Sequence, residues 1–170
     1  MKLLQRIWRV LRRDEDVFFE IGLDQKAGWQ SFVVVIVASL LSSLGWILRS
    51  NNPFLLEVSL LIAAIIAWLI LSGFISFLNM LFTGGMMNRQ ELLRLTGFAV
   101  LPLAFLSIPY VGWLSVVWFW GLLYMGLRSL YSTKPIHTIA LIILGSLAAF
   151  ITWGLTMVLV NELIGILPPA

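Results

Sequence analysis

The side chains able to do chemistry are few, and they are poorly placed for it. His137 is the only histidine in 170 residues and cysteine is absent. Thiolate nucleophiles, disulfides and Cys/His metal sites are therefore excluded, and a lone imidazole at a helix end reads as an interfacial residue without a chemical task. Asp14, Asp16 and Asp24 all precede the first long apolar block. The serines lack both a Gly-x-Ser-x-Gly setting and a histidine base at comparable depth. Gly84-Gly85 is not followed by the Lys-Ser or Lys-Thr of a phosphate loop. No catalytic residue, metal ligand or cofactor site is expected, so the chain reads as a non-enzyme.

One stretch stands apart, Glu91 to Pro102. Glu91 and Arg94, three residues apart, share a helix face where headgroups and water can solvate them. Pro102 lies eleven residues beyond Glu91, roughly 16 Å along a helix and so near a bilayer midplane. Its missing N–H and its ring predict a kink, eased by Thr96 and Gly97. Central charge is otherwise lacking in the apolar blocks, which argues against ion-coupled transport.

The elements that position this stretch follow from composition. Apolar residues make up 61% and charged residues 11% of the chain, with a mean hydropathy of +1.01, far from a soluble domain. The expected fold is all-α: a polytopic membrane protein with an amino-terminal amphipathic helix and five spans, Trp29–Leu48, Leu55–Phe82, Leu92–Ile108, Tyr110–Leu127 and Ile136–Val160. Residues 1–28 form a cytoplasmic arm and residues 29–170 the transmembrane domain. Spans three and four are short enough that a re-entrant hairpin bent at Pro109 satisfies the same charge pattern as two full crossings; full crossing is favoured. Small residues at Ser72/Ser76, Gly121/Gly126 and Gly145/Ala149 predict close helix contacts.

Charge sets the orientation. With the amino terminus inside, the cytoplasmic side receives ten of the eleven basic residues and the outside Arg49 alone. That pattern predicts N-in and C-out. In Met1–Arg13, basic Lys2, Arg6, Arg9 and Arg13 oppose apolar Leu3, Leu4, Ile7, Trp8, Val10 and Leu11. Such a helix suits an anionic leaflet, with packing on its own bundle as the alternative. There is no basic stripe of the kind that binds nucleic acid.

The run Leu95-Thr96-Gly97-Phe98-Ala99-Val100-Leu101-Pro102 resembles the Gly-aromatic-x-x-x-Pro signature in the third membrane helix of the Yip family, the Ypt/Rab-interacting membrane proteins. The opening Arg6-Ile7-Trp8-Arg9-Val10-Leu11 with Phe18-Phe19-Glu20-Ile21 resembles the amino-terminal segment of compact prokaryotic members. Leu127-Arg128 through Ile136-His137-Thr138 resembles the link between their fourth and fifth helices. Asp14-Glu15-Asp16 departs from the pattern, standing where prokaryotic relatives often place a proline. The resemblance implies a role in membrane trafficking and organisation, in which eukaryotic members engage Rab-type GTPases and one another, and it implies a prokaryotic cytoplasmic membrane for a chain this compact. The expected function is an adaptor or organiser that recruits protein or lipid through Arg6, Arg9, Arg13, Phe18, Phe19, Glu91 and Arg94. The expected partners are anionic lipid, an unidentified protein and a second copy of the chain. The competing class is a small transporter or lipid-handling protein using a cleft at Gly97, Phe98 and Pro102.

Overall fold

The computed structural model describes residues 2–47, 52–85 and 87–164, and these are helical with no strands. The helices are α1 (Leu3–Leu11), α2 (Glu15–Leu23), α3 (Ala27–Ile47), α4 (Pro53–Thr83), α5 (Arg89–Ala99), α6 (Val111–Tyr131) and α7 (Pro135–Ile164), with a 3-10 segment at Leu101–Phe105 after α5. Their starts and stops have local causes. Asp14 and Asn88 cap α2 and α5 by accepting from the N–H groups of Asp16 and Gln90, and Pro53 stands at the first turn of α4, where no backbone donor is lost. Gly84 ends α4 at φ 71°, with its N–H on the Met80 carbonyl, a conformation glycine adopts without Cβ strain.

Four helices are long and apolar enough to cross a membrane: Ala27–Gly45, Pro53–Thr83, Val111–Tyr131 and Pro135–Val160. The third expected span, Leu92–Ile108, is not one kinked helix. The α-helix ends at Ala99, and the chain continues as 3-10 turns in which Leu103, Leu106 and Ile108 donate to Val100, Leu103 and Phe105. Pro102 accounts for the change, because it offers no N–H to the Phe98 carbonyl and its ring crowds that carbonyl. The tighter i to i−3 pattern satisfies the backbone beyond it.

The directions of the helices follow from which ends meet. Phe82 stacks on His137 and Gly145 faces Ile75 and Leu71, so α4 and α7 are antiparallel. Trp68 and Ser72 meet Thr96 while Ser76 meets the Met87 carbonyl, so α4 and α5 are antiparallel. Gly126 meets Leu95 and Tyr131 meets Glu91, which makes α6 antiparallel to α5. Ser31 meets Gly97 and Gly45 meets Ser107, so α3 and the α5 segment are parallel. Short broken α5 therefore sits in the middle, packed against α1, α2, α3, α4 and α6. Leu92, Leu95, Phe98 and Ala99 on it are wholly buried.

The amino-terminal segment also differs from expectation. A second helix, α2, follows the expected amphipathic helix within residues 1–28, and Val10, Val17, Phe18 and Ile21 join the same core as Leu92 and Leu127. The arm packs on its own bundle. Of the small residues, Gly145 and Gly126 stand at helix contacts as expected, whereas a Cβ on Gly121 would meet open space. Leu48–Asn51 in the expected turn at Arg49, Met86 in the loop before α5, and Gly165–Ala170 in the tail lie outside the described residues.

The tightest of these approaches is testable. A Cβ on Gly97 would stand 2.6 Å from the Ser31 Cβ and 3.2 Å from its carbonyl oxygen, neither of which is the loose end of a flexible chain. Gly97→Ala should destabilise the protein by about 1–3 kcal/mol in thermal unfolding in detergent. Gly73→Ala, where a Cβ meets nothing within 4 Å, should be neutral by comparison.

Candidate functional site

The end of the bundle that gathers the start of α5, the end of α6 and the helices α1 and α2 carries most of the charge. Its construction begins with Arg94. Arg94 is buried, and its guanidinium donates to the Gly22 carbonyl at 2.6 Å and to Gln90 at 3.4 Å. Gly22 lies in the last turn of α2, where carbonyls have no intrahelical partner and the helix dipole is negative. A cation there satisfies both needs. Removing it would leave a buried carbonyl unpaired, at about 1–3 kcal/mol.

Glu91 does not pair with Arg94. Its carboxylate accepts from the Tyr131 hydroxyl at 3.0 Å and from the Asn88 side chain at 3.1 Å. The shared helix face is real, but the two side chains turn to different neighbours: Arg94 to α2 and Glu91 to α6. Together they tie three helices at one level.

Arg6 is the second buried cation. It is only 3% exposed and is engaged by the Asp24 carboxylate and the Gln30 side chain. Burying a guanidinium is costly unless it is paired, so Asp24 and Gln30 hold α1 against the entry to α3. Arg9 reaches Asp14 at 2.6 Å and Glu20 at 2.9 Å, linking α1 to α2. These bonds act on the titration of the carboxylates. The Arg9 guanidinium holds Asp14 below the usual carboxylate range, and Arg6, helped by the Lys26 N–H, does the same to Asp24. The bond to Asp14, with that to Glu20, raises Arg9 in turn.

The expected contact residues thus divide. Arg6, Arg94 and Phe18 face inward, Phe18 being wholly buried, and Arg9 is committed to carboxylates of its own chain. Arg13 and Phe19 face out. Leu4, Trp8 and Leu23 also face out, each more than half exposed, with the Arg12 guanidinium 4.6 Å from the Trp8 ring centroid. In the sequence Trp8 belongs to the lipid side of the arm and nothing marks Leu23, whose outward position exists only because α2 is a helix. At the break, Gly97, Phe98 and Pro102 are all buried and Ser31 fills the space beside Gly97. This arrangement can bind through an apolar and basic surface.

If Asp24 holds the arm, Asp24→Asn should loosen it. Backbone hydrogen exchange in residues 3–11 should quicken relative to wild type and to Asp16→Asn, corresponding to a loss of about 1–3 kcal/mol. The pH response has a definite sign. Because Asp14 and Asp24 titrate lower in the folded protein than the ordinary value of about 3.9, their contribution is complete above that value and is lost as pH falls through the depressed ones. Stability followed by thermal unfolding should decline below about pH 4 and be flat between neutrality and pH 5 as far as these two groups are concerned.

Residues 8–168 match the family described as the Yip1 domain. No curated protein and no solved structure matches the chain.

Proposed function

The chain belongs to the Yip1-domain family, and from that premise we propose that it is a non-enzymatic integral membrane adaptor that recruits protein or lipid at its charged, cytoplasmic end. It is a multi-pass membrane protein by its four apolar helices. In this reading the α5 segment with its 3-10 turns makes a fifth crossing, the amino terminus lies inside and the carboxyl terminus outside. The alternation of helix directions supports it, as does the sorting of basic residues, since the starts of α3, α5 and α7 share an end with the arm. The membrane is the cytoplasmic membrane of a prokaryote, in keeping with the resemblance to compact members.

The observation that carries the adaptor reading is the outward stripe of the arm. Leu4, Trp8, Phe19 and Leu23 are more than 45% exposed although α1 and α2 are pinned down by Arg6, Arg9 and Arg94. Holding large apolar groups in the open on a rigid base is the usual mark of a surface that meets a partner or a lipid interface. Arg13 and Phe19 make contact directly. Arg6, Arg9, Phe18, Glu91 and Arg94 serve it from beneath by fixing α1 and α2 in place.

Two measurements test this. A photoreactive residue at Trp8 or Phe19 should yield crosslinks to a defined partner or to anionic lipid in intact membranes, and one at buried Leu92 should yield neither; equal yields from all three positions would overturn the reading. The absence of native cysteine allows clean topology mapping. Cysteine placed at Lys134 or Arg89 should react with an impermeant reagent only after the cytoplasmic side is opened, and cysteine at Asn52 without opening. The reverse pattern would refute the orientation.

A further inference from the structure

A groove runs along α6 on the side away from α5, and the residues that line it follow one helix face. Leu114, Val117, Gly121 and Tyr124 recur every three or four positions, and Arg13 from the α1–α2 turn reaches the same groove. Its volume is about 450 Å³. A second hollow of about 370 Å³, sharing Tyr124, continues it to Arg128. The wall is outward and apolar: Leu114 and Val117 are 67% and 64% exposed within a helix long and apolar enough to cross a membrane. Gly121 leaves the floor open, since a Cβ there would meet nothing within 4 Å.

Two cations distinguish this groove from the general lipid-facing surface, Arg13 on its wall and Arg128 in the hollow that continues it. Arg6, Arg9 and Arg94 are all bound to acceptors of their own chain, but Arg13 and Arg128 are exposed and neither is paired with a carboxylate among the described residues. Arg128 donates to the Tyr124 hydroxyl at 3.3 Å and lies 5.9 Å from the centroid of that ring, which steadies it at the groove's end. From Leu114 to Tyr124 is roughly 15 Å along the helix, half of the ~30 Å hydrocarbon core. That is one leaflet's depth of apolar wall, with Arg13 lining it and Arg128 beyond Tyr124 at its end.

We propose that this groove is a binding site for one anionic glycerophospholipid of the cytoplasmic leaflet, its phosphate held between Arg13 and Arg128 and an acyl chain lying over Gly121 beside Leu114 and Val117. The charge complementarity selects the headgroup, and the apolar run selects a lipid over a free phosphate. Arg13 stands at the turn joining α1 to α2, so an occupied site fastens the arm to α6 and couples the arm's position to the lipid composition of the membrane. The site stands on the groove and its two arginines and does not need the recruitment reading.

The test is native mass spectrometry of the full chain released from detergent with equal amounts of phosphatidylglycerol and phosphatidylcholine. Wild type should retain phosphatidylglycerol preferentially. The double substitution Arg13→Gln, Arg128→Gln should erase the preference, with a loss of about fivefold for each arginine, and Arg13→Lys, Arg128→Lys should keep it. Gly121→Phe, whose Cβ meets nothing within 4 Å and whose ring occupies the floor, should lower retention of phosphatidylglycerol with both arginines present. Millimolar inorganic phosphate should not compete. Equal retention of the two lipids by wild type, a preference unchanged in the Gln variant, or displacement by inorganic phosphate would each overturn the assignment. Unaltered thermal unfolding of the variants, all at exposed positions, separates loss of the site from loss of the fold.

Discussion

The structure depends on what Pro102 does to the backbone. A proline inside an apolar helix removes the donor due to the Phe98 carbonyl and crowds it, so α5 stops at Ala99 and gives way to 3-10 turns. Irregular backbone at membrane depth is tolerated only where protein or water covers it. That requirement places the broken segment at the centre and surrounds it with α3, α4 and α6, the amino-terminal helices closing its charged end. The side chains agree: Thr96 bonds Trp68 at 3.0 Å and Ser72 at 2.7 Å, and glycine at 97 lets α3 approach closely. Interhelical hydrogen bonds of this kind in a membrane contribute about 0.6–2 kcal/mol each, a useful fraction where lipid supplies no hydrophobic drive between helices.

A second constraint shapes the charged end. Arg94 and Arg6 are buried cations, tolerable only with acceptors in reach, and each acceptor is supplied by a different element. Gly22 comes from α2, Asp24 from the turn after it, and Gln30 from the start of α3. The need to pair these charges is thus what folds the arm onto the bundle, where Val10, Phe18 and Ile21 then find a common core with α5 and α6. Basic groups satisfied internally are not available to a membrane, so the proposed recruitment rests on what this pairing leaves over: exposed Leu4, Trp8, Phe19 and Leu23 of the arm and the arginines without carboxylate partners.

Much of this was legible in the amino-acid sequence because it depends on one-dimensional quantities. Length and hydropathy determined the long apolar helices, and the pattern Gly97-Phe98 with Pro102 marked where the third segment departs from a straight helix and pointed to the family. The distribution of Lys and Arg along the chain marked one end as charged. Each of these survives any arrangement of the helices around one another, since each concerns a single segment and its solvent.

Partner choice was not legible, because it is decided between segments. Helical spacing put Glu91 and Arg94 on one face, yet the nearest acceptor for Arg94 is a carbonyl seventy-two residues away in sequence and the nearest donor for Glu91 is Tyr131, forty residues on. The same holds for Arg6, whose place on a basic helix face pointed to lipid until Asp24 and Gln30 were brought beside it. The sequence by itself determined which stretches leave water and where the chain must bend. Only the tertiary structure decided which charges are spent on the fold and which remain free, because a charge is neutralised by whatever stands within a few ångströms of it and not by its neighbours along the chain.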